Sequence, residues 1–217
     1  MFDVLRGACA ATLMVGCANG PTASDASDAA AGSTEAGTDA GPNSVDAPGD
    51  SLTDSQSTAL DASGRKRIFA TQTQFSGQFG GLAAADGLCT QAAQAANLGG
   101  NWNAWLSDSA TTAPSRLKSV GPWFLVDGKT LVFSGPSLSG TPAHDLDMDE
   151  HGVTGTKGLV WTGTSATGTG TGIHCSDWSR QGEFGTVGLA GSAEQWTDDQ
   201  TPGAPCTLHG RLYCVQQ

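Results

Sequence analysis

The chain has 217 residues, 31 of them glycine, and a formal net charge of −11. From Arg65 onward nine basic residues face twelve acidic ones, so no basic stripe is left to neutralise phosphates, which speaks against nucleic acid as a partner. All six tryptophans (Trp102, Trp105, Trp123, Trp161, Trp178, Trp196) also lie there, so residues 65–217 hold the material for a core of ordinary single-domain size.

At the start, Arg6 precedes a short apolar run, and Met14-Val15-Gly16-Cys17 puts a small residue directly before a cysteine. This reads as an export signal over residues 1–17 ending in a lipobox, with Cys17 as the lipidated residue and Ala18 giving the outer-membrane form of the signal. An ordinary cleaved signal peptide is the alternative. Residues 18–64 contain no Trp, Phe, Tyr, Lys, Arg or Cys and consist mostly of Ala, Ser, Thr, Asp, Gly and Pro. Such a stretch buries too little apolar surface to offset a backbone entropy of roughly 1–2 kcal/mol per residue, so it is expected to be a disordered acidic linker.

With Cys9 and Cys17 assigned to the export segment, Cys89, Cys175, Cys206 and Cys214 remain. An even number in an exported domain predicts two disulfides, for which three connectivities are open. Zinc is the competing use of four cysteines, but none of them forms a C-x-x-C pair.

In chain order, Ile68-Phe69-Ala70-Thr71 reads as a first strand after the basic Arg65-Lys66-Arg67. Leu82, Ala85, Leu88, Cys89, Ala92, Ala93 and Ala96 recur at helical spacing, and Asn97-Leu98-Gly99-Gly100 supplies a stop. Cys89 falls on the buried face of that helix, so its partner should sit on a distant strand packed against it. A short strand or tight bend is expected around Trp102 and Trp105. Two apolar runs, Pro122 to Val126 and Thr130 to Phe133, flank Asp127-Gly128-Lys129 and predict a hairpin. The stretch from Val160 to Trp178 suggests a buried strand pair pinned by a disulfide at Cys175, and Arg211-Leu212-Tyr213-Cys214-Val215 suggests a last core strand.

The segments G-G-L-A-A-A-D-G-L-C (80–89), N-W-N-A-W-L-S-D-S (101–109), V-W-T-G-T (160–164), C-S-D-W (175–178) and the terminal C…R-L-Y-C-V-Q (206–216) resemble the endostatin module of certain collagens. They are closer still to a bacterial endostatin-like family found in exported proteins, within the C-type-lectin-like fold. The resemblance covers residues 68 to the end. It implies an α+β domain over residues 65–217, with two helices flanking a small twisted antiparallel sheet, long loops and two nested disulfides, Cys89–Cys214 around Cys175–Cys206. On a chain-entropy basis those two bridges would contribute about 5 and about 4 kcal/mol.

The sugar-binding calcium triplets of C-type lectins are absent, and so are the histidines that open the endostatin domain. Asp145, Asp147, Asp149 and Glu150 place hard oxygen ligands at close intervals, as a calcium site requires, but the adopted reading is a strand with Leu146 and Met148 inward, the acids outward, and a turn at Glu150-His151-Gly152. His174, His209 and Asp177 adjoin the expected second bridge and are zinc candidates, set against an accidental polar grouping. No nucleophile with a base stands out. Trp196, Trp123 and Trp102 are candidate ligand contacts by stacking, with Trp196, in E-Q-W-T-D-D-Q, the one expected to be exposed. Together these readings lead to the expectation of a surface-anchored, non-enzymatic module without cofactor, recognising an extracellular protein or glycan without calcium. A structural envelope lipoprotein and a metal-dependent lectin are the alternatives.

Overall fold

The computed structural model describes residues 65–217. The expected export signal, Cys17 and the acidic linker lie outside the described residues. In chain order the elements are β1 (Lys66–Ala70), β2 (Phe75–Ser76), α1 (Leu82–Ala95), β3 (Trp102–Ala104), α2 (Ala113–Arg116), β4 (Trp123–Leu125), β5 (Leu131–Phe133), β6 (Gly158–Trp161), β7 (Phe184–Gly185), β8 (Val187–Ala190), β9 (Ala204–Pro205) and β10 (His209–Gln216).

Strand β10 is the axis. Its C-terminal half runs antiparallel to β1 on one side, with Phe69 opposite Cys214, and to β3 on the other, with Ala104 opposite the same cysteine. Its N-terminal half pairs with β2 and, in parallel, with β6. The main path of the sheet is β5-β4-β1-β10-β6-β8. Alternation along β10 divides the core by face. Tyr213 and Val215 join Ile68, Trp105, Trp123 and Trp196 on one side, while Leu212 and Cys214 join Phe69, Trp102, Trp161 and Trp178 on the other. Both faces are covered, which is why R-L-Y-C-V reads as a continuous apolar run and not as an in/out pattern.

Two expectations are corrected here. The sheet is mixed, because β1 pairs with β4 and β10 with β6 in parallel. Among the described residues only one helix is long: α1 has 14 residues, whereas α2 has four and is ended by the extended Leu117. The architecture is thus α+β with few helices, a curled mixed sheet and two disulfides.

Helix α1 buries only Ala85, Cys89 and Ala93, one narrow stripe of small residues at four-residue spacing. That stripe lets the helix lie close to β3 and β10. The predicted stop is a Schellman-type cap, in which Asn97 takes a φ of 56° and the N–H groups of Leu98 and Asn97 donate to the carbonyls of Ala93 and Gln94. Asp86 ties the outer face to β3, accepting from the Ala104 N–H at 2.8 Å and from Arg116 at 2.6 and 2.7 Å. The Asp127-Gly128 hairpin also forms, joining β4 and β5 with Trp123 opposite Phe133.

Cys89 on α1 bonds Cys214 on β10 across 125 residues, and Cys175 bonds Cys206 across 31 residues inside that loop. The nested pairing is therefore present. The surroundings of Cys175 differ from expectation. Val160 and Trp161 are in a strand, but Cys175, Ser176, Asp177 and Trp178 have φ values of 53°, 50°, 54° and 62° and form a turn of left-handed helix. Each such non-glycine residue costs roughly 1–2 kcal/mol, so the turn persists only because its ends are held. Trp178 is fully buried and its Nε1 donates to the Ser107 carbonyl at 3.0 Å, while Cys175 is fixed by its bridge.

Cys175→Ala is expected to destabilise the protein by on the order of 2–5 kcal/mol, seen as a lower Tm. Thiol labelling of the unfolded variant should then modify Cys206 and leave Cys89 and Cys214 unlabelled. Labelling at Cys89 or Cys214 would contradict the nested pairing.

Candidate functional site

The three tryptophans singled out as ligand contacts are all interior, which corrects that expectation. Trp102 is 2% exposed, Trp123 0% and Trp196 3%. Glu194 and Gln200 are exposed, but Thr197 is buried and the loop is folded onto β8: the Leu189 N–H donates to the Gln195 carbonyl and the Asp199 N–H to the Val187 carbonyl. Gly188 permits this approach, since a Cβ there would overlap the Trp196 carbonyl. The indole then packs against Trp105, Phe133 and Tyr213, with ring centroids 5.1, 5.2 and 6.0 Å away, and donates to the Gly140 carbonyl.

The acidic segment keeps Leu146 and Met148 in the core, as expected, but Asp149 and Glu150 are buried as well, 3% and 6% exposed, and the segment is irregular, not a strand. Each acid serves a different backbone donor. Asp145 accepts from Ala193 N–H, Asp147 from Gly155 N–H, Asp149 from the N–H groups of His151 and Val153, and Glu150 from Gln72 N–H at 2.7 Å. The carboxylates are thereby spread over five backbone donors instead of converging. Burial, with the charges of Asp145 and Asp147 behind it, pushes the Tyr213 phenol far up, so it stays neutral.

The histidine set does not assemble into a three-ligand site either. The His174 Nδ1 accepts from the Asp177 N–H at 2.9 Å and lies 3.2 Å from the Asp177 carboxylate, whereas His209 sits at the start of β10 opposite Ser76. Among the described residues no group of three or more His, Cys, Asp or Glu side chains is placed to hold a metal ion. Asp177 instead fastens the left-handed turn to the loop after β3, accepting from Ser109 N–H at 2.8 Å and Ser109 Oγ at 3.0 Å. The Ser109 hydroxyl is thus directed at the carboxylate and not at the imidazole, the reverse of what activating it as a nucleophile requires.

What the fold does build is a groove beside α1. Two cavities of about 340 and about 320 Å³ share Glu150 and His151 as a common wall. Leu88, Ala92 and Ala95 form the helix side, and Phe75 lines the first cavity. The site is assembled by the loop after β1. Arg211 Nη1 donates to the carbonyls of Thr71 and Gln72, and the Leu212 N–H donates to Thr71 Oγ1, so the Gln72 N–H is presented to Glu150. The opposite wall is anchored through the Met148 carbonyl, which accepts from Ala70 N–H. Sequence reasoning missed this groove. Its signal was the second apolar row on α1: Leu88 and Ala92 recur at helical spacing beside Cys89 and Ala93, yet they are only half-buried and face the groove.

No protein-family model matches the chain, and no curated protein is significantly similar to it.

The Asp177 carboxyl is held below the ordinary carboxylate range, first by the Ser109 N–H, against a smaller cost of burial, and then by the Ser109 hydroxyl and His174. A depressed folded pKa stabilises above the unfolded value, about 4, and that stability is lost as pH falls through the folded value. Asp177→Asn is therefore expected to lower Tm at pH 7, with the gap to wild type closing as both are acidified below about pH 4. A gap independent of pH would show that the carboxylate charge is not what holds the turn.

Proposed function

We propose that residues 65–217 form a C-type-lectin-like, endostatin-like binding head that recognises an extracellular protein or glycan without calcium, carried on an acidic linker behind a lipidated Cys17 at the bacterial outer membrane. The observation that carries this reading is the groove beside α1. It is a concave surface of mixed character, with an apolar helix side, a polar loop side and one buried carboxylate, framed by a helix that a disulfide ties to the central strand. Binding sites on rigid elements keep their geometry without a metal to organise them. The nested bridges support an oxidising, exported setting. Among the described residues no helix is long and apolar enough to cross a membrane, which accords with attachment through a lipid. The dispersal of the acids over five backbone donors favours calcium-free binding over a metal-dependent lectin.

Two measurements test the reading. The mature protein, applied to glycan and extracellular-protein arrays, is expected to retain ligands equally with and without a chelator; loss of all binding on chelation would restore the lectin reading. Cys17→Ala is expected to move the protein from membrane to soluble fractions, and unchanged fractionation would remove the lipid anchor.

A further inference from the structure

The most unusual chemical feature of the groove is the state of Glu150. The residue is 6% exposed, yet only Oε2 has a protein donor, the Gln72 N–H at 2.7 Å. Among the described residues it belongs to no ion pair, and the nearby guanidinium is committed elsewhere: Arg211 donates to the carbonyls of Thr71, Gln72 and Lys157. The same side chain lines both cavities. Its Oε1 has no protein donor and is not among the buried atoms left without a partner, so it is open to the groove, where a charged donor would complete the carboxylate. The approach to it runs over Leu88, Ala92 and Ala95, which offer an apolar surface and no competing charge. A flexible hydrocarbon stem ending in a cation matches that combination, the stem lying along the helix and the head reaching the carboxylate. Asp127, which lines the second cavity, adds negative charge at the far end.

We infer that the groove captures a lysine side chain of a partner protein, its ammonium group pairing with Glu150 Oε1 and its methylene stem packing on Leu88, Ala92 and Ala95. This rests on the reading of the α1 groove as the binding surface and names the chemistry it selects. A neutral saccharide would meet the polar side of the groove at Thr71, Thr73 and Gln91 but leave the charge of Glu150 unpaired.

The test uses the full-length protein and a blocked pentapeptide with a central lysine, together with its acetyl-lysine and norleucine counterparts, followed by titration of amide resonances. The lysine peptide is expected to shift Gln72, Leu88, Ala92 and Glu150, and the two neutral peptides to leave them in place. Glu150→Gln, which keeps an acceptor for Gln72, should weaken the lysine peptide by at least about tenfold. Ala95→Lys, on the exposed face of α1, should block the site with its own ammonium group and abolish the shifts without unfolding the protein. Equal binding of the norleucine peptide, undiminished binding by Glu150→Gln, or stronger displacement of the same resonances by a neutral saccharide would overturn the inference. If arrays still retain a ligand that shifts α1 resonances while the lysine peptide does not, the lysine assignment alone fails; if no ligand touches the groove, the underlying reading fails with it.

Discussion

The fold depends on the fixation of β10 at Cys214. That residue has Phe69 opposite it on one neighbouring strand and Ala104 on the other, and its sulfur is bonded to Cys89 on the only long helix among the described residues. One position thus joins both sheet neighbours and the layer above them. The sequence around it is poor in self-sufficient structure: β2, β7 and β9 are two residues long, and most other strands are three to five. Short strands gain little from local pairing, and the contacts that hold them span much of the chain, with a large loop-closure cost. A bridge across 125 residues removes much of that cost from the unfolded side, because the open chain can no longer explore the separations that closure would forfeit.

The inner bridge does something different. It holds four consecutive left-handed residues, a conformation that L-amino acids avoid, against the core through Trp178. Space for the sulfur is made by leaving side chains out: a Cβ at Gly77 or Gly185 would come within 2.5 or 2.8 Å of Cys175 Sγ. The glycine content of this chain is therefore partly a packing device. At these two positions the missing side chain admits a disulfide, and at Gly188 it admits a tryptophan carbonyl. Backbone freedom is the accompanying cost, and the bridges offset it by restricting the unfolded chain.

This explains which parts of the molecule were legible in the sequence. Helix α1, its Asn97 stop, the Asp127-Gly128 hairpin and β10 follow from rules that act within a few residues, and all four occur where the pattern placed them. The pairing of the cysteines came from family resemblance, since spacing alone left three connectivities open. Trp196 was misread because its immediate neighbours are polar, while its burial is decided by Gly188 on a different strand. The left-handed turn was invisible for the same reason: nothing in C-S-D-W marks it, and it is imposed by Ser107, Ser109 and Cys206, which are remote in the chain. Parallel pairing of β10 with β6 likewise depends on where the intervening loops return.

The acidic segment shows how one pattern can be read correctly by side and wrongly by role. Alternation put Leu146 and Met148 inward, and they are. It also put the acids into solvent, where a cluster of them would invite a hard cation. In the fold, four carboxylates each meet a different backbone N–H through one oxygen, so their mutual repulsion is spread out, while Asp147 Oδ1 stays buried without a hydrogen-bond partner. An irregular loop has many unpaired N–H groups, and carboxylates are strong acceptors for them, so the same residues that suggest metal binding are well suited to bracing a loop without one. Glu150 departs from the others because its brace is made to the loop after β1, beside the groove that its side chain lines. The element that stabilises the wall is thereby also the one that presents charge to whatever enters, which couples the integrity of the loop to the chemistry of the groove.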